Sequence, residues 1–159
     1  LNAIQNKKLP FLGKWNDMDV LLLEFPSNSI PLGSDKLINW LLKNNVKPMI
    51  AHPERNQVFQ QHQERLDGFF SQGCLTQITA GALTGNFGHK AQQTAQNLIL
   101  ENKVTIIASD AHNIQYRPPI LSEAYSIVRS LKNETTAENL LKNQPQEISQ
   151  IKFSGEQTC

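Results

Sequence analysis

Short runs of apolar residues recur along the chain, and each is followed by a segment in which apolar side chains repeat at helical spacing. Continuous apolar runs of this length are typical of parallel strands that are buried on both faces. The predicted strands are residues 19–25, 47–51, 74–79 and 104–108. The predicted helices are residues 37–42, 58–70, 91–99 and 121–131, with a weaker amphipathic stretch at 136–141. This alternation predicts an α/β domain with a parallel sheet, either a barrel or a doubly wound sheet.

The end of the chain differs from the rest because polar residues dominate it. Apart from Ile148, Ile151 and Phe153, residues 143–159 offer little that could pack in a core. We therefore expect a loosely ordered polar tail. The length of 159 residues fits one domain, and neither an internal repeat nor a low-complexity linker divides it.

Composition and charge narrow the class of protein. The 15 basic residues nearly cancel the 14 acidic ones, and no Lys/Arg cluster suggests a nucleic-acid-binding surface. Two cysteines, Cys74 and Cys159, are too few for a disulfide framework and fit a reducing compartment. The longest apolar run, residues 20–23, is far shorter than the ~20 residues that span a bilayer. We expect a cytoplasmic protein with no membrane insertion and no nucleic-acid partner.

Several ionisable residues lie directly after the predicted strands. In parallel α/β folds, ligands bind at the carboxyl ends of the strands, where loops gather side chains from different strands. Arg55 follows His52 by three positions, and Arg117 follows His112 by five. The four candidate metal ligands are Glu24, His52, Asp110 and His112.

Carboxylates, imidazoles and guanidinium groups together make one kind of chemistry available. Carboxylate and imidazole ligands suit manganese, iron or zinc, and a bound ion lowers the pKa of coordinated water from ~15.7 towards ~7. Arginines clamp phosphate oxygens bidentately and offset the charge that develops in the transition state. The combination predicts metal-dependent hydrolysis of a phosphoester.

Each candidate also has an ordinary interpretation. A glutamate at a strand end is commonly solvated or salt-bridged, His52 could belong to the cap of the following helix, and arginines are commonly surface charges. The segment with Asp110 and His112 is the stronger signal, because two ligands directly after a buried strand could share one ion. Glu54 is better interpreted as a structural partner than as a ligand. The glycines at 81, 85 and 88 fit an anion-binding turn or a plain turn equally well.

Five ordered segments together resemble one known group of enzymes. They are Leu-Leu-Glu-Phe-Pro from Leu22, Ala-His-Pro-Glu-Arg-Asn from Ala51, Gln-Ile-Thr-Ala-Gly-Ala-Leu-Thr-Gly-Asn-Phe-Gly from Gln77, Ala-Ser-Asp-Ala-His-Asn from Ala108, and Arg-Pro-Pro from Arg117. The chain resembles, over residues 19–128, the bacterial tyrosine phosphatases of the polymerase-and-histidinol-phosphatase superfamily, which are encoded with capsule and exopolysaccharide genes. The order and spacing of the five segments make the resemblance specific.

The resemblance implies a fold, a cofactor and a substrate. The fold is a distorted seven-stranded β/α barrel of TIM-like type, represented here by its C-terminal part. The barrel holds two or three metal ions. Manganese is the expected metal, and iron, zinc or other divalent ions are alternatives. The implied substrate is a phosphotyrosine protein, the kinase that regulates polysaccharide synthesis. The matching metal ligands are Glu24, His52, Asp110 and His112, and the matching phosphate-binding residues are Arg55 and Arg117.

The start of the chain departs from the family pattern. The family opens with a His-x-His strand, a further His and a Glu, and we expect that this chain lacks that N-terminal third. Two alternatives therefore stay open beside a protein-tyrosine phosphatase. One is a small-molecule phosphatase of the same superfamily, acting on a substrate such as histidinol phosphate. The other is a non-catalytic binding module with an incomplete ion site.

Overall fold

A five-stranded sheet forms the centre of the fold in this computed structural model, which describes residues 9–111 and 121–153, without the side chains of residues 150–153. All four predicted strands are present in it. A short strand that the sequence analysis missed pairs antiparallel with the first of them. The strands are Gly13–Trp15 (β1), Met18–Leu23 (β2), Val46–Ala51 (β3), Leu75–Thr79 (β4) and Ile106–Ala108 (β5).

The order of the strands in the sheet follows their order in the sequence. β2, β3, β4 and β5 are parallel neighbours, with Leu22 beside Met49 and Gln77 beside Ile106. A doubly wound sheet reverses direction at a switch point, whereas the wall of a barrel advances one way only. The described strands form a curled half-barrel in a mixed α/β fold, and their order favours the barrel over the doubly wound sheet.

Helices follow each parallel strand, as predicted. The predicted helix at 58–70 is in fact two helices, because the backbone of His62 leaves helical geometry at φ −135° and ψ 72°. The helices are Ser34–Lys43 (α1), Gln57–Gln61 (α2), Gln63–Ser71 (α3), Ala80–Leu83 (α4), His89–Leu100 (α5), Ser122–Leu131 (α6), Glu134–Glu138 (α7) and Gln144–Phe153 (α8). Pro53–Arg55 adds a 3-10 turn and Asn139–Asn143 a π-helical turn. Within the described ranges, none of these helices has both the length and the apolar character that crossing a bilayer requires.

The two faces of the sheet bury separate apolar clusters, because side chains alternate along each strand. The larger cluster packs the helices against the sheet and includes Ile38, Ile50, Phe59, Phe69, Ile78, Leu98 and Ile107. Phe25 joins it, with its ring centroid 6.1 Å from that of Phe59 and 5.7 Å from that of Phe69. The residue that follows Glu24 is thus anchored in the core. The smaller cluster, on the opposite face, consists of Val20, Met49, Leu75, Ile106 and Ile148.

The chain from residue 143 onwards, expected to be a loosely ordered tail, is helical as far as Phe153. Ile148 is only 3% exposed and packs into the smaller cluster beside Val20 and Met49. One buried side chain in a polar helix is a weak sequence signal, which explains the difference. Residues 154–159 lie outside the described part.

The contact between α8 and β1 depends on Gly13. Its φ of 149° disfavours a side chain, and a β-carbon there would overlap the carbonyl oxygen of Ile148. We expect Gly13→Ala to lower the free energy of unfolding by about 1–3 kcal/mol, measured by chemical denaturation of the chain. Gly68→Ala is the control, because Gly68 is exposed within α3 and a β-carbon there would meet open space, so this substitution should be neutral or stabilising. Equal effects of the two substitutions would contradict the packing argument.

Candidate active site

Four of the six residues predicted from the sequence lie at the carboxyl end of the parallel strands. Glu24 follows β2, His52 follows β3, Arg55 ends the 3-10 turn and Asp110 follows β5. These four residues lie in two pairs, each joined by a close contact between side chains. The other two, His112 and Arg117, lie outside the described residues, so their roles stay predictions.

Glu24 and His52 form the first pair. The Nε2 atom of His52 is 3.3 Å from Oε1 of Glu24, and the glutamate side chain is 69% exposed while that of His52 is 13% exposed. Burial, aided by the positive charge of Arg55, lowers the pKa of His52, although Glu24 and Asp110 oppose the shift. The imidazole is therefore neutral at neutral pH, which is the form that coordinates metal ions.

Arg55 and Asp110 form the second pair. The Nη1 atom of Arg55 donates to Oδ2 of Asp110 at 2.7 Å, across 55 positions of sequence. On its other side the guanidinium carbon lies 4.4 Å from the centroid of the Phe87 ring. A charge-assisted hydrogen bond and a cation–π contact together restrain the guanidinium in one orientation.

The backbone is strained at two of the candidate ligands. His52 has φ 31° and Asp110 has φ 52°, in the left-handed region that residues with a side chain seldom adopt. Such conformations cost of order 1–3 kcal/mol each and persist where the surrounding structure holds them. At His52 the 3-10 turn does so, with the amide of Arg55 donating to the carbonyl of His52 at 3.0 Å.

Glu54 ties this turn to the next strand. Its side chain is fully buried, and its Oε1 atom accepts a hydrogen bond from the amide of Thr79 at 2.9 Å. Desolvation by burial raises the pKa of Glu54 to about 7, against the opposing effects of the Thr79 amide and Arg55. The carboxyl group thus links the turn that carries His52 and Arg55 to the end of β4, and Glu54 is a structural partner, as interpreted from the sequence.

Asn56 connects the same turn to the loop that follows Glu24. Its Nδ2 donates to the carbonyls of Pro26 at 2.8 Å and Ser29 at 3.2 Å, while its Oδ1 accepts from the amides of Val58 and Phe59. Sequence analysis missed this residue, although an Asn directly before an apolar helical segment is a recognised N-cap signal. The turn of residues 52–56 is consequently fixed to three neighbouring segments of the chain.

A small cleft of about 90 Å³ opens between these groups. It is lined by Glu24, Phe25, Ser27, Ala51, His52, Arg55, Asn56 and Phe59. Among the residues that the structure describes, no three His, Cys, Asp or Glu side chains are grouped closely enough to hold an ion. The neutral imidazole and the carboxylates are nevertheless donors of the kind that divalent metal ions accept.

The buried carboxyl group of Glu54 makes stability depend on pH. Its folded-state pKa of about 7 exceeds the ordinary value of 4.5, so protonation stabilises the folded chain fully below pH 4.5, and this contribution is lost as the pH rises through 7. Relative to Glu54→Gln, the wild type should lose up to about 3 kcal/mol of unfolding free energy between pH 4.5 and pH 8. Denaturation curves of both proteins test this, with the exposed Glu123→Gln as control. Parallel pH profiles for wild type and Glu54→Gln would contradict it.

Comparisons with known proteins identify the family of this chain. A family model described as capsular polysaccharide synthesis, CpsB/CapC, matches residues 2–150. CapC of Staphylococcus aureus is 36% identical over 143 residues, which cover 90% of this chain and 55% of that protein. The tyrosine-protein phosphatase YwqE of Bacillus subtilis is 33% identical over 153 residues, covering 88% and 60%. The tyrosine-protein phosphatase CpsB of Streptococcus agalactiae is 31% identical over 133 residues, covering 80% and 54%.

A solved structure shares the fold. It comes from the crystal structures of YwqE from Bacillus subtilis and CpsB from Streptococcus pneumoniae, described as metal-dependent tyrosine phosphatases. The TM-score is 0.84 at 27% identity, over 94% of this chain and 59% of that one. This chain spans a little over half the length of the curated relatives that it matches. The family model matches nearly the whole of this chain. The chain therefore belongs to the CpsB/CapC family of capsular polysaccharide synthesis proteins.

Proposed function

We propose that this chain contributes the site of a metal-dependent protein-tyrosine phosphatase that acts in capsular or exopolysaccharide synthesis. The observation that carries the proposal is the convergence of Glu24, His52, Arg55 and Asp110 at one end of the parallel strands. That set combines metal donors with a cation suited to phosphate. The relatives named as tyrosine-protein phosphatases support phosphotyrosine as the substrate.

The proposed metal ligands are Glu24, His52, Asp110 and His112. The first two already place a carboxylate oxygen and an imidazole nitrogen 3.3 Å apart. Manganese is the proposed metal, with iron and zinc as alternatives that the same donors accept. When bound, such an ion supplies a water of lowered pKa as nucleophile and polarises the phosphoryl group.

The proposed phosphate-binding residues are Arg55 and Arg117. A guanidinium carries five N–H donors, so Arg55 can hold Asp110 with one edge and still present donors to phosphate oxygens. Its restrained orientation reduces the entropy lost when phosphate binds. The neighbouring phenyl rings of Phe25 and Phe59 form an apolar wall of the cleft, which strengthens electrostatic interactions there.

Three further points belong to the same proposal. The complete domain is a seven-stranded β/α barrel, of which the curled half-barrel is a part. The protein acts in the cytoplasm. Its substrate is a tyrosine kinase that regulates polysaccharide synthesis. The family description and the names of the relatives support the pathway, and the strand order supports the barrel.

Hydrolysis of a phosphotyrosine peptide tests the proposal directly. The protein assayed is the product of the complete reading frame that contains this sequence, with and without manganese. We expect manganese-dependent phosphate release, and we expect His52→Ala to reduce kcat/KM by at least about 100-fold because it removes a metal ligand. His62→Ala is the matched control, since His62 is an exposed histidine between α2 and α3. The affinity for manganese, measured by calorimetry, should decrease in His52→Ala and stay unchanged in His62→Ala.

Two experimental outcomes would each favour a different function over the proposed one. Efficient cleavage of histidinol phosphate without cleavage of phosphotyrosine would indicate a small-molecule phosphatase. Hydrolysis of neither substrate by the manganese-loaded protein would indicate a binding module.

A further inference from the structure

The loop between α4 and α5 brings an aromatic ring to the proposed phosphate-binding arginine. The guanidinium carbon of Arg55 lies 4.4 Å from the centroid of the Phe87 ring, well within the range of a cation–π contact. Arg55 and Phe87 are 32 positions apart and belong to different βα connections. None of the residues singled out for catalysis or metal binding comes from the connection that carries Phe87.

The backbone conformation of this loop leaves room for the Phe87 ring. Gly85 and Gly88 both have φ 85°, and the amide of Asn86 donates to the carbonyl of Gly81 at 2.9 Å, which closes the loop on α4. A β-carbon at Gly81 would lie 3.1 Å from Cε2 of Phe87, tighter than ordinary van der Waals contact. Of the three glycines considered as an anion-binding turn in the sequence, Gly81 leaves the space that the Phe87 ring occupies, while Gly85 and Gly88 supply the positive φ angles of the loop.

Arg55 is held by two contacts that restrain different motions. The hydrogen bond to Asp110 fixes the position of one guanidinium nitrogen, but it leaves rotation about the hydrogen-bonded edge. The Phe87 ring restricts that rotation because it lies beside the guanidinium carbon. Bidentate recognition of phosphate depends on the plane of the guanidinium, so the contact with the ring bears on phosphate binding as well.

We propose that Phe87 is a positioning residue, which orients the guanidinium of Arg55 for the phosphate group of the substrate. The inference rests on the proposed phosphatase function and on phosphate binding by Arg55. Phe87 also packs at the edge of the larger apolar cluster, so the test must separate its action on Arg55 from simple packing. Leucine serves this purpose because it keeps an apolar side chain and removes the aromatic ring.

Steady-state kinetics of the complete protein with a phosphotyrosine peptide, and inhibition by inorganic phosphate, test the proposal. Phe87→Leu should raise both KM and the inhibition constant of phosphate by about 3- to 30-fold, the range for loss of a cation–π contact. Phe87→Tyr, which keeps the ring, should stay within about twofold of the wild type. Phe70→Leu is the matched control, because Phe70 is a partly exposed phenylalanine on α3.

A double-mutant cycle shows whether Phe87 acts through Arg55. In the Arg55→Gln background, Phe87→Leu should change the phosphate inhibition constant by less than about twofold, because the cation is already gone. Gly81→Ala gives an independent perturbation, since its β-carbon displaces the ring while alanine suits the helix. It should raise the inhibition constant of phosphate in the same direction as Phe87→Leu but by a smaller factor, because the ring has to shift by only a few tenths of an ångström.

The outcomes distinguish the two proposals. Manganese-dependent activity with no effect of Phe87→Leu, or an equal effect of Phe87→Leu with and without Arg55, would overturn the positioning role alone. Absence of phosphotyrosine hydrolysis by the wild type would overturn the proposed function, and the positioning role with it. If Phe87→Leu fails to fold, Gly81→Ala decides by the same criteria.

Discussion

The hydrogen bond from the Thr79 amide to the buried carboxyl group of Glu54 is the constraint on which the site depends. It joins the end of β4 to the 3-10 turn after β3, so the residues on either side of Glu54 cannot move independently of the sheet. His52, Arg55 and Asn56 line the cleft, whereas Glu54 is fully buried, and both Glu54 and Asn56 make hydrogen bonds that hold the turn in place. The turn therefore separates two tasks, with anchoring residues interleaved among those proposed to act on substrate.

The anchoring has an electrostatic cost that the neighbouring charges partly offset. A buried carboxyl group resists ionisation, and Arg55, the next residue, favours its charged form. The same guanidinium lowers the pKa of His52 and forms the ion pair with Asp110. One cation thus influences three ionisable groups, so replacing Arg55 would disturb the proposed metal ligands His52 and Asp110 as well as the proposed phosphate site. Variants at Arg55 therefore need a measurement of manganese affinity beside their phosphate inhibition constant.

Sequence patterns predicted the parallel strands because strands buried on both faces contain short apolar runs, as residues 49–51 and 106–108 do. They missed β1, whose three residues Gly-Lys-Trp form no apolar run. The position of Glu24, His52 and Asp110 after strand ends was also predictable, since parallel strands end at one edge. Phe87 was not, because its partner lies far away in sequence and only the folded loop brings them together. His112 and Arg117 stay predictions.

Asp110 links the proposed metal site to the proposed phosphate site. One of its carboxylate oxygens accepts from Arg55, and a carboxylate has lone pairs on two oxygens, so it can contact the arginine and a metal ion together. A ligand that is oriented by a partner of this kind binds metal in a defined direction. Arg55 in turn is oriented by Phe87. The proposed metal and phosphate sites are therefore connected by direct contacts, and a change in the position of the Phe87 ring should reach Asp110 through Arg55.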